Sequence, residues 1–72
     1  MIKEGTNVKW KWGQGQAKGV VKKSYKESIT LKIKGSDVTR NGTKENKALL
    51  IEQEDGDEVL KLESEVSRED LV

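Results

Sequence analysis

Two indoles two residues apart, Trp10 and Trp12 in the run Lys9-Trp10-Lys11-Trp12, are the residues of this 72-residue chain best equipped for recognition. On an extended strand, positions i and i+2 share a face, so the pair could form a flat platform for a cation or a base. Tyr25 is the only other aromatic ring available to complete it. A ring contact with a cation contributes about 0.5 to 2 kcal/mol, so such a platform needs polar partners as well. Arg40 and Asn46, in a later turn-rich segment, are the candidates, and the expected ligand is a protein or peptide. A competing reading gives at least one indole to the core, because a chain without Phe needs bulk there.

The second set of chemically capable residues is basic. Lys9, Lys11, Lys18, Lys22, Lys32 and Lys34 fall alternate to the presumed core positions, a pattern that lines one sheet face with ammonium groups. Such a face suits phosphates and gives salt-sensitive, sequence-indifferent affinity for nucleic acid, with nearby rings stacking on unpaired bases. Lysines on exposed strands also deter edge pairing. The net charge of +1 conceals a division of the chain: residues 1–47 hold twelve Lys or Arg against four acids, and residues 48–72 hold two against nine. Segments of opposite charge that fold together lower their own repulsion, so internal compensation competes with a polyanion-binding face as the explanation.

Other chemistries lack parts. The chain has no His and no Cys, so a serine nucleophile has no imidazole base, and no disulfide or Cys-based zinc site can supplement the core. No enzyme activity, metal or cofactor is expected. Gly13, Gly15 and Gly19 have the wrong last spacing for a dinucleotide fingerprint and lead into a strand instead of a helix. Glu52, Glu54, Asp55, Asp57 and Glu58 offer oxygen ligands but lack the order of a calcium loop, so they read as a solvated turn. The longest apolar run, Ala48-Leu49-Leu50-Ile51, is far short of the roughly 20 residues of a membrane span, and the N-terminus lacks the apolar stretch of a signal peptide. A cytoplasmic monomer without membrane contact is the expectation.

The elements that must position these groups are strands. Val8, Trp10 and Trp12 alternate with Lys9 and Lys11 over Thr6–Trp12, and Gly13-Gln14-Gly15 ends that strand. A second runs from Ala17 to Lys26, with Gly19 marking a bulge or bend. In Ile29–Lys34 three aliphatics alternate with Thr30, Lys32 and Lys34. The segment Gly35–Lys47, dense in turn formers and with Val38 its only aliphatic, reads as an ordered loop. Ala48–Gln53 and Glu58–Leu62 are strands joined by a turn containing Asp55-Gly56. The tail from Ser64 to Val72 reads either as one short helical turn, for which Ser67 followed by Asp70 fits a capping box with Val66 and Leu71 packing back, or as a frayed end. These elements predict a single all-β domain over residues 1–72, with its core at about 5–65, a tail at 66–72, and about five antiparallel strands in a small SH3-like, Tudor-like barrel.

Val8-Lys9-Trp10-Lys11-Trp12-Gly13-Gln14-Gly15, Gly19-Val20-Val21, Thr39-Arg40-Asn41-Gly42-Thr43, Glu45-Asn46 and Leu50-Ile51 through Gly56 to Leu60-Lys61 occur in an order that resembles the hypervirulence-associated Tudor-like domain family. The resemblance spans about Gly5 to Glu65. It implies an SH3-like barrel standing alone as a small bacterial or fungal protein, and the family name records an association, not a biochemical activity. The family pattern has Pro and an aromatic where this chain has Lys47 and Leu49. That departure leaves Trp10, Trp12 and Tyr25 as the only rings for a cage of the kind in which Tudor domains hold methylated side chains.

Overall fold

Alternation around the indoles becomes the first hairpin of the molecule. The computed structural model describes residues 2–69. In chain order its strands are β1 (Asn7–Trp12), β2 (Gly15–Tyr25), β3 (Ser28–Ile33), β4 (Ser36–Asn41), β5 (Ala48–Gln53), β6 (Glu58–Leu62) and β7 (Ser67–Arg68), with a 3-10 turn at Glu63–Glu65. β1 and β2 pair from Asn7↔Val20 to Trp12↔Gly15 around a turn in which Gly13 takes φ +58°. At 11 residues, β2 is long enough to serve a second partner, and its far half pairs with β5.

The resulting sheet runs β6-β5-β2-β1-β7, and β3-β4 form a separate two-stranded ribbon. Every pairing is antiparallel. The all-β class is as the sequence predicts, but the ring of backbone hydrogen bonds does not close. β4 lies beside β6 through side chains instead. Arg40 Nε donates to the Leu60 carbonyl at 3.2 Å, and Lys34 Nζ reaches Asp57 across the two turns at 2.8 Å.

Inward positions of three strands make the core: Val8 and Trp10 of β1, Val21 of β2, and Leu49 and Ile51 of β5, with Ile2, Ala17, Val59 and Val66 packed against them. Burying each of the large aliphatic side chains contributes about 1.5 to 3 kcal/mol. Gly19 lets β2 press close to β5, because a Cβ there would lie 2.7 Å from Ile51 Cγ2 and closer still to the Glu52 carbonyl oxygen. The irregularity expected at Gly19 falls instead between Val21 and Lys23, where Lys22 is the extra residue in the ladder with β5. Gly19 thus serves close packing, and the bulge lies beyond it.

Three further expectations are corrected. The presumed loop at 35–47 contains β4, which pairs residue for residue with β3 from Ile33↔Ser36 to Ser28↔Asn41. The turn between them is Lys34-Gly35, with φ of 52° and 79°, so the third strand ends at Ile33 and Lys34 belongs to the turn. Both residues take the left-handed conformation of a tight two-residue hairpin. With few aliphatics, the ribbon's outer face is held by polar pairs: Thr30 to Thr39 at 2.7 Å, and Ser28 Oγ donating to Asn41 Oδ1 at 3.0 Å. In the tail, Ser67 is not a helix cap. It pairs with Lys9 as part of β7, and Glu69 N–H donates to the Asn7 carbonyl at 2.9 Å. The edge of β1 offers these residues backbone partners that a helical turn would forgo, and Asp70 lies outside the described residues. Finally, the described residues form seven strands where about five were expected.

Candidate functional site

β1 carries its two indoles to opposite fates. Trp10 is only 4% exposed and belongs to the core cluster, whereas Trp12 is 68% exposed. Both sit on the same side of the strand by period, but Trp12 is the last residue of β1 and stands beyond the core. Its cross-strand partner is Gly15, which has no side chain to cover it. The two rings therefore do not form one exposed platform.

Tyr25 is half-buried at the other end of β2, paired with Ala48. Ten residues of strand, about 3.3 Å each, separate it along the chain from the Gly15 that faces Trp12. Arg40 and Asn46 lie at the Tyr25 end of the molecule and serve the backbone there. The Arg40 guanidinium donates to Leu60 O and reaches Glu65 at 4.0 Å. Asn46 donates through Nδ2 to Ser64 Oγ at 3.1 Å and accepts the Ser64 N–H on Oδ1 at 3.0 Å. Of the five residues grouped from the sequence, the structure separates Trp12 from Tyr25, Arg40 and Asn46, and buries Trp10.

Around Trp12 the surface is concave. An open depression of about 390 Å³ is lined by Trp12, Gln14, Gly15, Gln16, Ala17 and Gln53. A second, of about 310 Å³, shares Gln16, Ala17 and Gln53 with it and continues past Lys18 and Glu54 to Asp55. A third, of about 280 Å³, takes up Lys18, Gln53 and Glu54 and extends to Glu52, Val20, Asn7 and Glu69. Together they make a shallow trough along β2, with an indole and three side-chain amides at one end and carboxylates at the other. Gln14, Gln16 and Gln53 gave no signal in the sequence, because a glutamine beside a turn reads as ordinary solvated surface.

The six lysines are divided as well. Lys9 and Lys18 oppose each other across β1 and β2, with Lys11 and Lys22 on the same strands, while Lys32 and Lys34 belong to the β3-β4 ribbon. They do not line one sheet face, because the sheet stops before the ribbon begins. Three of them are matched by acids: Lys18 to Glu69 at 3.4 Å, Lys22 to Glu52 at 3.6 Å, and Lys34 to Asp57 at 2.8 Å. The hydrogen bond from Lys34 to Asp57 and the charge of Asp57 raise the Lys34 pKa above the ordinary lysine value against an opposing desolvation, with a lesser contribution from the charge of Asp55. These three pairs and Arg40 to Glu65 each join the basic first part of the chain to the acidic last part. All four are solvent-screened surface pairs of little individual weight, and jointly they offset part of the charge division. Among the described residues, no three His, Cys, Asp or Glu gather closely enough to hold a metal ion, and no helix is long and apolar enough to cross a membrane.

A family model described as the hypervirulence associated proteins TUDOR domain matches residues 5–66. The chain belongs to that family. The matched span of this Tudor domain runs from just before β1 to Val66, so it takes in both hairpins that build the trough, the ribbon and the core. No curated protein and no solved structure matches the chain.

Proposed function

We propose that this Tudor domain is a non-catalytic binding module that takes an extended protein or peptide segment in the trough beginning at Trp12. The observation that carries this reading is the 68% exposure of Trp12 in a chain with only two Trp, where the other is spent on the core. A small domain has little apolar surface to spare, and an indole left in solvent beside a concavity is a ready anchor for a partner. The amides of Gln14, Gln16 and Gln53 can pair with the backbone of an extended ligand, and the ring can take an apolar or cationic side chain. The trough is open and shallow, which suits a peptide better than an enclosed small molecule. Without His or Cys the chain also lacks the usual base and nucleophile of hydrolytic and transfer sites, in keeping with a non-catalytic role.

Covering the exposed part of an indole removes on the order of 130 Å² from water, about 3 kcal/mol at full burial, and roughly half of that if only one ring face is covered. Selection from a displayed library of random peptides, run on the wild-type domain and on Trp12→Ala in parallel, tests the reading. Peptides enriched on the wild type should bind the variant at least about tenfold more weakly. No enrichment, or enrichment indifferent to Trp12, would reject it. Salt-sensitive binding of a single-stranded oligonucleotide that persists in Trp12→Ala would move the function to Lys9, Lys11, Lys18 and Lys22.

A further inference from the structure

The sheet edges of this molecule are not treated alike. In an antiparallel ladder, alternate residues turn their N–H and C=O away from the partner strand, and the register identifies them. On β6 these are Glu58, Leu60 and Leu62. The Leu60 carbonyl is taken by Arg40 Nε, and the Leu62 N–H donates to Glu65 Oε1 at 2.8 Å. On β1 they are Asn7, Lys9 and Lys11, of which the first two face Glu69 and Ser67. On β3, hydrogen-bonded to β4 through Ile33, Leu31 and Ile29, the outward residues are Ser28, Thr30 and Lys32. Among the described residues, no strand or side chain bonds their backbone groups. β3 and β4 present the longest such edges, on a ribbon of only two strands, and β4 lies against β6, which leaves β3 as the open one.

We propose that β3 pairs with β3 of a second copy of this chain, antiparallel about a twofold axis at Thr30. The sequence of the edge complements itself in that register. Thr30 meets its own symmetry mate, and Ser28 meets the partner's Lys32, giving about six new backbone hydrogen bonds. Ile29 meets the partner's Leu31 on the inner face, where both are only half-buried in the single chain. Centring the axis on Lys32 instead would oppose two ammonium groups and shorten the overlap. The Thr30 register keeps the lysines apart and joins the Thr30–Thr39 pair of each copy into a ladder of four threonines. The outcome is a four-stranded sheet in place of two marginal ribbons. A single edge of this length buries well under about 1,200 Å², so the dimer is weak, forming toward millimolar concentration and dissociating at micromolar. It is independent of Trp12 and of whatever the trough binds.

Sedimentation velocity from micromolar to millimolar protein, with backbone amide exchange across the same range, tests this pairing. Ser28→Lys places like charges opposite Lys32 twice per dimer and should weaken it about tenfold. Ser28→Glu places opposite charges there and should strengthen it. Both lose the same exposed Ser28–Asn41 bond, so a fold effect moves them together and a register effect moves them apart. The expected result is self-association with concentration-dependent protection of the Ser28, Thr30 and Lys32 amides and opposite responses of the two variants. A chain that stays monomeric at millimolar, or a dimer that responds alike to both variants, overturns the proposal. So does protection of these amides only when a foreign peptide is added, since the edge would then receive another protein's strand.

Discussion

Replacing each indole by alanine should have consequences that differ by several kcal/mol, although the two residues are two positions apart on the same side of β1. Trp10 is 4% exposed and packs among Val8, Val21, Leu49 and Ile51, so Trp10→Ala deletes the largest side chain of the core. Such truncations cost about 3 to 5 kcal/mol. A domain of this length has a total stability of roughly 4 to 11 kcal/mol, so the loss is about half of it, and the melting temperature should fall by about 20 °C or the chain should not fold at all. Trp12, at 68% exposed, has little packing to lose, and Trp12→Ala should stay within about 1 kcal/mol of wild type. Thermal and urea unfolding followed by far-UV circular dichroism gives both values. Indole emission of Trp12→Ala, which reports Trp10 alone, should be blue-shifted and poorly quenched by acrylamide. A Trp12→Ala variant as unstable as Trp10→Ala would refute the reasoning, since it would make both rings core and leave the trough without its anchor.

Two predictions concern the frame. Gly19→Ala drives a methyl group into Ile51 Cγ2 and the Glu52 carbonyl, and overpacking against backbone should cost about 1 to 3 kcal/mol, read as a lower melting temperature with the β2-β5 amides exchanging faster. Lys34 has a folded-state pKa raised above its unfolded value, so its contribution is complete below the ordinary lysine pKa of about 10.4 and is lost as pH rises through the folded value. Urea midpoints should therefore decline less between pH 9 and about 11.5 in Lys34→Gln than in wild type, and equal slopes would count against the Lys34–Asp57 link.

The fold was legible where burial writes a period into the chain. β1, β3, β5 and β6 each contribute aliphatic or aromatic residues to an inward face, and their boundaries lie close to those read from alternation. β4 was not legible because it brings one aliphatic, Val38, and takes its pairing from β3 and from the left-handed turn at Lys34-Gly35. β7 has two residues and no pattern of its own, and exists because β1 has an edge to cover. For the site, residue type was legible and location was not. Period placed Trp10 and Trp12 on one face correctly, but it carries no information on where the core ends along a strand, which is what separates them. Arg40 and Asn46 looked like rim residues of a loop. Their groups are used internally, on Leu60 and Ser64, by contacts about 20 residues away in sequence.

The most direct test of the Trp12 trough is a titration of the nitrogen-15-labelled domain with a peptide recovered on the wild type, watching the two indole N–H resonances together. The Trp12 indole and the side-chain amides of Gln14, Gln16 and Gln53 should move, while the Trp10 indole and the Asn46 amide stay in place. Movement confined to the Tyr25, Arg40 and Asn46 end, with the Trp12 indole unchanged, would contradict it.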